Sequence, residues 1–340
     1  MAWAYNPDAI SYNPAVADGY RWDDNNTDPE KLDEMFSNSI DAITGATTSY
    51  DGWDILFRSS NELQGKGDVG YAPGEKIAIK ANLLMGLGGG KEKANTPGPS
   101  PQLLHAIIED LIEDVGVSGE NITVYDVSAR IPDYIMEPFK NHKDTAFQKV
   151  KFVGNPGYIE NERYLPARAD TGLRIHFADT TVTDVYLVKS ITESEYLINL
   201  TNFKAHTLAG VTFCAKNLYG SVYIPTATDM YTNGFGPNAP DEHAGLHRCA
   251  AVHYFPSDGN VGPYPAREMG TYNYLVDIWG HPEIYNKTML YIVDGLYGCA
   301  IQNKIDKFIS FGRKYSASLF ISQDPITPHY LNHHSHPRTP

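Results

Sequence analysis

The sequence predicts an α/β fold in which helices flank a mostly parallel sheet, and three observations support this. A strand pattern at 76–80 is followed by the clearest helix pattern of the chain, which begins at Ser100, and then by a second strand pattern at 122–126. A strand, a helix and a strand in this order form the unit of a parallel sheet. Later in the chain, polar side chains directly follow several apolar strand patterns, as they do at the ligand-binding edge of such sheets.

A helical extension that packs on the main body is expected at the N-terminus, over residues 1–70. Asp28 stands before Pro29, which is the arrangement of an N-cap and a first helical residue. A second helical patch lies at 53–57. After Pro29, the apolar residues Leu32, Met35, Phe36, Ile40 and Ile43 recur at helical spacing. Gly45 follows them and is suited to end the helix.

Residues 71–325 are expected to form the core of the α/β fold. Helical spacing continues over 208–219 and predicts a helix there. A stretch dense in Gly, Pro, His and Tyr, 221–283, predicts a long irregular insertion, and the Pro- and His-rich end, 326–340, predicts a disordered tail. Further strands are predicted at 173–178 and 185–188, as a hairpin, and at 196–200, 289–293 and 319–322.

Composition excludes several classes of partner and cofactor. The formal net charge is -14, so the chain is not suited to bind nucleic acid, whose phosphates are held mainly by Lys and Arg. No apolar run approaches the roughly 20 residues that cross a membrane. The three cysteines form no Cys-x-x-Cys pair, so we expect no iron–sulfur cluster in this chain. The first residues lack a signal-peptide pattern, which indicates a cytoplasmic protein unless an export leader precedes them.

Five predicted strands are each followed at once by polar side chains. Because the carboxyl ends of parallel strands line one edge of a sheet, we expect these side chains to share a site. The alternative for each aspartate is that it caps a helix or a turn. The residues are Lys80 with Asn82, Asp126, Lys204 with His206, Asp294, and Asp324.

Lys204 and His206 are the sharpest pair, because alternate residues of a strand share a face. A lysine beside a histidine can hold an anion, transfer a proton or favour a metal on neutral imidazole, or the pair can be merely solvated and hydrogen-bonded. Lys216 and Asn217 add a second cation and an amide. We interpret His206, Lys204 and Asp126 as catalytic, and the remaining residues as ligand-binding: Lys80, Asn82, Lys216, Asn217, Asp294 and Asp324.

The sequence specifies no cofactor. The Gly-rich segment 86–91 does not match the P-loop motif, because Met85 stands where that motif has Gly and Glu92 stands where it has Ser or Thr. A flexible loop and a backbone anion nest are the alternatives for this segment. His243 and His247 have the spacing that places two imidazoles on one helical face, which leaves a divalent metal as an alternative.

The central part of the chain resembles the family called domain of unknown function 362. In residues 196–212 and 215–220, an apolar strand, a Lys-x-His step, a short apolar stretch and a Lys-Asn-Leu-x-Gly close follow in the order of that family's signature. The resemblance covers roughly residues 1–325 and implies an α/β fold with a shared site, while the family name assigns no activity. Other matching segments are Ile79 to Asn82, the helix at Ser100-Pro101, Val124 to Asp126, and Ser322 to Pro325.

Two functions remain in view. In the first, the chain is an enzyme for a small anionic metabolite, which Lys80, Lys204 and Lys216 attract while His206 moves a proton. The Lys-x-His step also resembles the nickel-dependent lactate racemase family, from which no residue role is carried over. In the second, the chain is a non-catalytic ligand-binding or redox-accessory module, and its aromatic-rich insertion contacts the partner. The identity of a protein partner is open.

Overall fold

A computed structural model gives the fold, and it describes residues 1–13, 19–83, 97–128, 130–156, 164–178, 184–206, 210–223, 273–299 and 316–324. The strands in these ranges are β1 (Ala2–Tyr5), β2 (Ile77–Ala81), β3 (Ile122–Asp126), β4 (Lys151–Gly154), β5 (Leu165–Pro166), β6 (Ala169–Ile175), β7 (Val185–Val188), β8 (Tyr196–His206), β9 (Gly210–Thr212), β10 (Thr288–Cys299) and β11 (Ser318–Ser322). The helices are α1 (Pro29–Thr44), α2 (Ser49–Leu63), α3 (Pro101–Glu109), α4 (Asp133–Lys140), α5 (Thr145–Gln148), α6 (Lys189–Thr192), α7 (Cys214–Asn217), α8 (Leu275–Gly280) and α9 (Pro282–Tyr285).

Within the described ranges, nine strands form one mixed sheet with the order β1-β11-β10-β8-β2-β3-β4-β5, and β9 pairs with β8. All neighbours from β10 through β8, β2 and β3 to β4 and β5 run parallel. The strands β1, β11 and β9 join in the antiparallel direction. The prediction of a mostly parallel sheet flanked by helices is therefore confirmed.

The predicted unit of strand, helix and strand is present as β2, α3 and β3. Pro101 occupies the first turn of α3, where its missing N–H leaves no helical hydrogen bond unmade. After a π-helical turn, Gly116 takes a φ of 82°, the left-handed conformation that glycine adopts without strain. The apolar side of α3 lies in the core against β2 and β3, whose residues are almost fully buried.

The N-terminal helices form as their caps predict. The side chain of Asp28 accepts a hydrogen bond from the N–H of Lys31 at 3.2 Å, and Gly45 ends α1 with a φ of 75°. In α2, the indole N–H of Trp53 donates to Asp110 Oδ2 at 2.9 Å. The helices α1, α2 and α3 share one core with the sheet, and β1 extends the sheet at its edge. The division of the chain into extension, core and tail stays a prediction.

The opposite face of the sheet is also covered. The antiparallel hairpin of β6 and β7 packs there with α6, α8 and α9, around a second core that includes Ala78, Tyr125 and Leu197. Burial on both faces is typical of parallel sheets. It leaves the strand ends as the places where polar side chains of the central strands can gather.

The helix predicted over 208–219 is wrong in its first half. Residues Gly210–Thr212 form β9, which pairs with Lys204 to His206 at the end of β8, and the helix α7 begins only at Cys214. The end of β8 extends beyond its parallel partner β2, so its backbone groups are open to pairing with the returning chain.

Several predicted features lie outside the described residues. These are the Gly-rich segment 86–91, the histidines His243 and His247, and the tail 326–340. Residues 224–272 of the predicted insertion also lie outside, while its last residues form α8 and α9. Among the helices that the structure describes, none has the length and apolar character that a membrane crossing requires.

Candidate functional site

The C-terminal edge of the parallel strands holds a small cavity of about 20 Å³. Such a volume accommodates roughly one water-sized group. The cavity brings together residues that are far apart in the sequence, as predicted from their places after strands. The predicted site residues that line it are Lys80, Asn82, Asp126, His206, Lys216 and Asn217.

The local fold explains why these side chains meet. The strands β2 and β3 end side by side, and β8 continues past them with His206 near its end. The returning strand β9 adds Thr212, and α7 starts two residues later and carries Lys216 and Asn217 on a single turn. The cavity is therefore built from strand ends on one side and from one helical turn on the other.

Lys80 is buried and fully engaged. Its ammonium lies 3.3 Å from Asp126 Oδ2, and it donates to Asn217 Oδ1 at 3.0 Å and to the carbonyl oxygen of Ala81 at 2.6 Å. A lysine has three N–H donors, so these three acceptors use its whole capacity. Burial lowers the pKa of Lys80, and the neighbouring charge of Asp126 opposes that shift.

Asp126 is equally engaged. Besides the ammonium of Lys80, its oxygens accept hydrogen bonds from the N–H of Leu83 at 2.8 Å, the N–H of Ser128 at 3.0 Å and the hydroxyl of Ser128 at 2.6 Å. All of these groups donate, which is the environment of an ionised carboxylate. The carboxylate thus fixes the chain after β2 and after β3, and its acceptor sites are occupied by the protein itself.

Asn217 joins α7 to the sheet. Its Nδ2 donates to the carbonyl oxygen of Lys80 at 3.1 Å, to the carbonyl oxygen of Leu200 at 3.0 Å and to Asn199 Oδ1 at 2.8 Å. We call Lys80, Asp126 and Asn217 the paired cluster, because each of them directs its polar atoms at the protein. The position of α7 against β2 and β8 depends on this cluster.

Gly220 allows the paired cluster to form. A Cβ atom at this position would lie 2.7 Å from Lys80 Cε and 2.9 Å from Lys80 Nζ, and it would overlap Asp126 Oδ1. Its carbonyl also accepts the N–H of Val127 at 3.1 Å. The close approach of the backbone to a buried ion pair therefore accounts for a residue without a side chain at the end of the Lys-Asn-Leu-x-Gly segment.

Lys216 differs from Lys80 although both are buried. Its ammonium lies 4.3 Å from the ring centre of Tyr219, and no acceptor among the described residues hydrogen-bonds to it. Burial lowers the pKa of Lys216 to about 7, and the positive charges of Lys204 and Lys80 act in the same direction, while Asp126 opposes them. A buried amine without an acceptor therefore faces the cavity.

Two further polar atoms at the cavity lack a partner in the described part of the chain. They are Asn82 Oδ1 and Thr212 Oγ1, on residues that are 6% and 1% exposed. Buried polar atoms are almost always hydrogen-bonded in folded proteins, so such a pair beside a cavity indicates a place for a ligand or a water. We call Asn82, His206, Thr212 and Lys216 the cavity cluster.

Lys204 lies next to the site but does not line the cavity. It is buried, and burial lowers its pKa, while Cys299 and Asp126 act in the opposite direction. Its backbone pairs with Thr212 on one side and with Cys299 on the other. The catalytic role expected of Lys204 stays a prediction, and in the structure its charge acts on the neighbouring Lys216.

The structure places Asp294 and Asp324 outside the lining of this cavity. Asp294 is buried, and its carboxylate accepts the N–H of Ser100 at 2.7 Å and the N–H of Leu296 at 3.1 Å, so it holds the start of α3. Burial raises its pKa, although these hydrogen bonds oppose the shift. Asp324 is exposed and follows β11, which runs antiparallel to β10. A strand of reversed direction ends at the opposite edge of the sheet, so Asp324 lies away from the cavity.

The sequence did not predict four residues in the lining of the cavity: Ser128, Thr212, Tyr219 and Gly220. The sequence does hold a pattern that could have identified two of these residues. Ser128 follows Asp126, at the end of a predicted strand, by two residues, and Gly220 is the last residue of the Lys-Asn-Leu-x-Gly segment. No such pattern identifies Thr212, because its place depends on the pairing of β9 with β8.

A larger groove of about 1290 Å³ lies between α1, α3 and α4. Three aromatic rings stack along it: Tyr20 on Trp22 at 4.7 Å and Trp22 on Tyr134 at 4.1 Å between ring centres. Its charged residues are mostly acidic, and include Asp24, Glu30, Asp33, Glu109 and Glu137. This groove does not include the residues that follow the central strands, and its charge does not suit an anion.

The residues that the structure describes contain no group of three or more His, Cys, Asp or Glu side chains that could hold a metal ion. At the cavity, the chemistry available from the described side chains is that of amine, imidazole, amide and hydroxyl groups. These groups can bind an anion, donate hydrogen bonds to it and move a proton.

Comparison with known proteins gives a family. None of the curated proteins matches this sequence. A similar solved structure is the lactate racemase apoprotein from Thermoanaerobacterium thermosaccharolyticum, with a TM-score of 0.39 and 10% sequence identity, over 89% of this chain and 54% of that one. This chain thus spans about half the length of that protein. The sequence model of the family described as "Domain of unknown function (DUF362)" matches residues 77–326, most of the chain, and this protein therefore belongs to that family.

Proposed function

We propose that this chain is an enzyme that acts on a small anionic metabolite at the cavity cluster. In this proposal Lys216 binds the anionic end of the metabolite and His206 transfers a proton. The paired cluster keeps Lys216 in place. A non-catalytic binding module that uses the same residues is the alternative outcome of the tests below.

One observation carries the proposal. The amine of Lys216 and the oxygens Asn82 Oδ1 and Thr212 Oγ1 meet at a cavity, and within the described residues none of the three has a hydrogen-bond partner. Leaving such groups buried costs free energy, on the order of 1–3 kcal/mol for each neutral group. A ligand with acceptor and donor atoms of its own would recover that free energy when it binds.

The charges around the cavity favour an anion. Among the described residues, the charged groups that act on Lys216 are two lysines, Lys80 and Lys204, and one aspartate, Asp126. The excess is positive, although the chain as a whole carries a net charge of -14. A positive pocket in a negative protein attracts small anions locally, whereas the surrounding surface repels large polyanions.

Some residues of the site would contact the ligand, and others would hold those contacting residues in place. Lys216, His206, Thr212 and Asn82 line the cavity and would contact the ligand directly. Asp126 uses its oxygens on protein donors, which makes it a positioning residue and not the catalytic residue that the sequence indicated. His206 is 5% exposed, so a proton on its imidazole is shielded from bulk water.

Binding is tested with oxalate, a small dianion, by calorimetry at pH 7. We expect the native chain to bind oxalate, and the Lys216→Met variant to bind it about tenfold or more weakly, because a hydrogen bond to a charged group is worth roughly 1.5–3 kcal/mol. The matched control is Lys149→Met, the same change at a lysine whose side chain is 56% exposed. Equal affinities of the native chain and the Lys216→Met variant would refute the site.

Catalysis is tested with the His206→Ala variant. The native chain is incubated with a set of small hydroxy and oxo acids, and their conversion is followed by proton NMR. For an enzyme, we expect the variant to lose turnover by about 100-fold or more while it keeps most of its affinity for oxalate. If the native chain binds oxalate and converts none of the acids, the non-catalytic alternative is favoured.

A further inference from the structure

We infer that Lys216 forms an imine with the carbonyl carbon of a small 2-oxo acid. This inference rests on the proposed function and narrows it to one class of substrate. It assigns to Lys216 the role of a nucleophile in addition to that of a cation. The reasons are the position of its amine, the surroundings of that amine and the size of the cavity.

The position of the amine separates Lys216 from Lys80. The ammonium of Lys80 is held by Asp126, Asn217 and the carbonyl of Ala81, so no N–H is left for a ligand. Lys216 lines the same cavity, and its ammonium lies 4.3 Å from the centre of the Tyr219 ring. An amine that attacks a carbonyl carbon needs a free approach and must not be held by a carboxylate, and Lys216 meets both requirements within the described residues.

The surroundings of the amine favour its neutral form. Lys216 is 8% exposed, and the two lysines that act on it, Lys80 and Lys204, are also buried. Burial and neighbouring positive charges both disfavour the ammonium form, which lowers the pKa of Lys216 to about 7. Activation of a lysine by burial and by another cationic group is a known way to make an amine nucleophilic near neutral pH.

The size of the cavity restricts the reacting group. A space of about 20 Å³ has room for one small polar group, such as a carbonyl, so the rest of the substrate would lie at the opening of the cavity. The positive charges of Lys80 and Lys204 would attract a carboxylate attached to that carbonyl. A 2-oxo acid with a small substituent, such as glyoxylate or pyruvate, combines these two features.

The reaction balances without an oxidant or a further reactant. The lone pair of Lys216 Nζ adds to the carbonyl carbon, and a proton moves from the nitrogen to the oxygen to give a carbinolamine. His206 then gives a proton to the hydroxyl group, the lone pair of Nζ forms the C=N bond as the C–O bond breaks, and water leaves. The proton left on the nitrogen of the imine can return to His206. The hydroxyl of Thr212 can donate to the carbonyl oxygen at the start, and Asn82 Oδ1 can accept from the carbinolamine hydroxyl.

The experiment is reductive trapping. The native chain is incubated at pH 7 with pyruvate and sodium cyanoborohydride, which reduces an imine to a stable secondary amine, and the modified lysines are located by peptide mass spectrometry. We expect Lys216 to be modified about tenfold or more faster than the exposed Lys149 in the same sample, because an ordinary lysine is almost wholly protonated at this pH. Oxalate, which forms no imine, should slow the modification of Lys216 and leave that of Lys149 unchanged.

The outcomes separate this inference from the proposed function. If oxalate binds as proposed and pyruvate modifies Lys216 no faster than Lys149, the imine is refuted and the anion site stands. If neither oxalate binding nor modification of Lys216 occurs, the proposed site is itself wrong. Because modification is located in the native chain, the inference does not depend on the folding of a variant. In Lys216→Met, modification at Lys149 should continue unchanged.

Discussion

Two lysines of this protein are buried at the same edge of the same sheet, yet their surroundings differ. In the paired cluster, the three N–H donors of Lys80 are directed at Asp126, Asn217 and a backbone carbonyl. In the cavity cluster, Lys216 faces an aromatic ring and a small space, without an acceptor in the described part of the chain. This difference supports our proposal that the paired cluster stabilises the fold and that the cavity cluster binds a ligand.

The largest expected effect is on the stability of the two lysine variants. Lys80→Met leaves the buried carboxylate of Asp126 without its ion pair, so we expect the free energy of unfolding to fall by about 3–5 kcal/mol. Lys216→Met removes a charge that has no ion pair within the described ranges, and we expect the free energy of unfolding to stay the same or to rise. Urea denaturation of both variants and the native chain measures this contrast. Equal losses in both variants would remove the distinction between the two clusters.

The second prediction concerns pH. Because the pKa of Lys216 falls from its ordinary 10.5 to about 7 on folding, the unfolded chain binds more protons between these values. The free energy of unfolding of the native chain should therefore rise with pH in this window, by up to about 1.4 kcal/mol per unit from this group, and the cost of the buried charge is fully present below pH 7.

The matched control for this pH dependence is the Lys216→Met variant, which lacks the group while the other ionisable residues remain. The unfolding free energy of the variant minus that of the native chain should fall steadily from pH 7 to pH 9.5. Urea denaturation at several pH values gives the slope. A difference that does not change with pH would mean that Lys216 titrates normally.

The third prediction uses Gly220. A Cβ atom there would meet the side chains of Lys80 and Asp126, so Gly220→Ala should lower the free energy of unfolding by about 1–3 kcal/mol through overpacking. Gly280→Ala is the matched control, since a Cβ atom at that position would meet nothing within 4 Å. If the control lost as much unfolding free energy as Gly220→Ala, the paired cluster would not specifically require glycine at position 220.

The smallest expected effect comes from two threonines. Thr212→Val removes a buried hydroxyl that has no partner among the described residues, so the free energy of unfolding should stay the same or rise, while the affinity for oxalate should fall several-fold. Thr27→Val is the control, because the hydroxyl of Thr27 donates to the carbonyl of Arg21 at 2.6 Å. The control should lose about 1–2 kcal/mol of stability and keep its affinity. The opposite pattern would place Thr212 in the fold and not in the site.

Much of the fold could be predicted from local sequence patterns. Asp28 with Gly45, and Pro101 with Gly116, bound α1 and α3 because caps and left-handed turns depend on neighbouring residues alone. The family resemblance of the central segment also holds, since the family is shown by the match to residues 77–326. The direction of a strand is not a local property, and for that reason Asp324 was assigned to the wrong edge.

The site could be predicted in outline only. The parallel order of β2, β3 and β8 brings Lys80, Asp126 and His206 to one edge, as expected for residues that follow parallel strands. The sequence does not say whether Lys80 or Lys216 forms the ion pair with Asp126. That choice depends on the exact positions of side chains that come from different strands and helices. The place of Asp126 after a strand predicts a catalytic role, while its hydrogen bonds to Leu83 and Ser128, which the sequence does not specify, are the basis for proposing a positioning role.

The most direct test of the account is the protonation of Lys216 itself. Lysine labelled with ¹³C at Cε is incorporated, and the signal of Lys216 is identified by its absence from the spectrum of Lys216→Met. We expect this signal to titrate with a midpoint near pH 7, and to titrate at a higher pH when oxalate is present, because a bound anion stabilises the ammonium form. A midpoint near 10.5 that oxalate does not change would contradict the account.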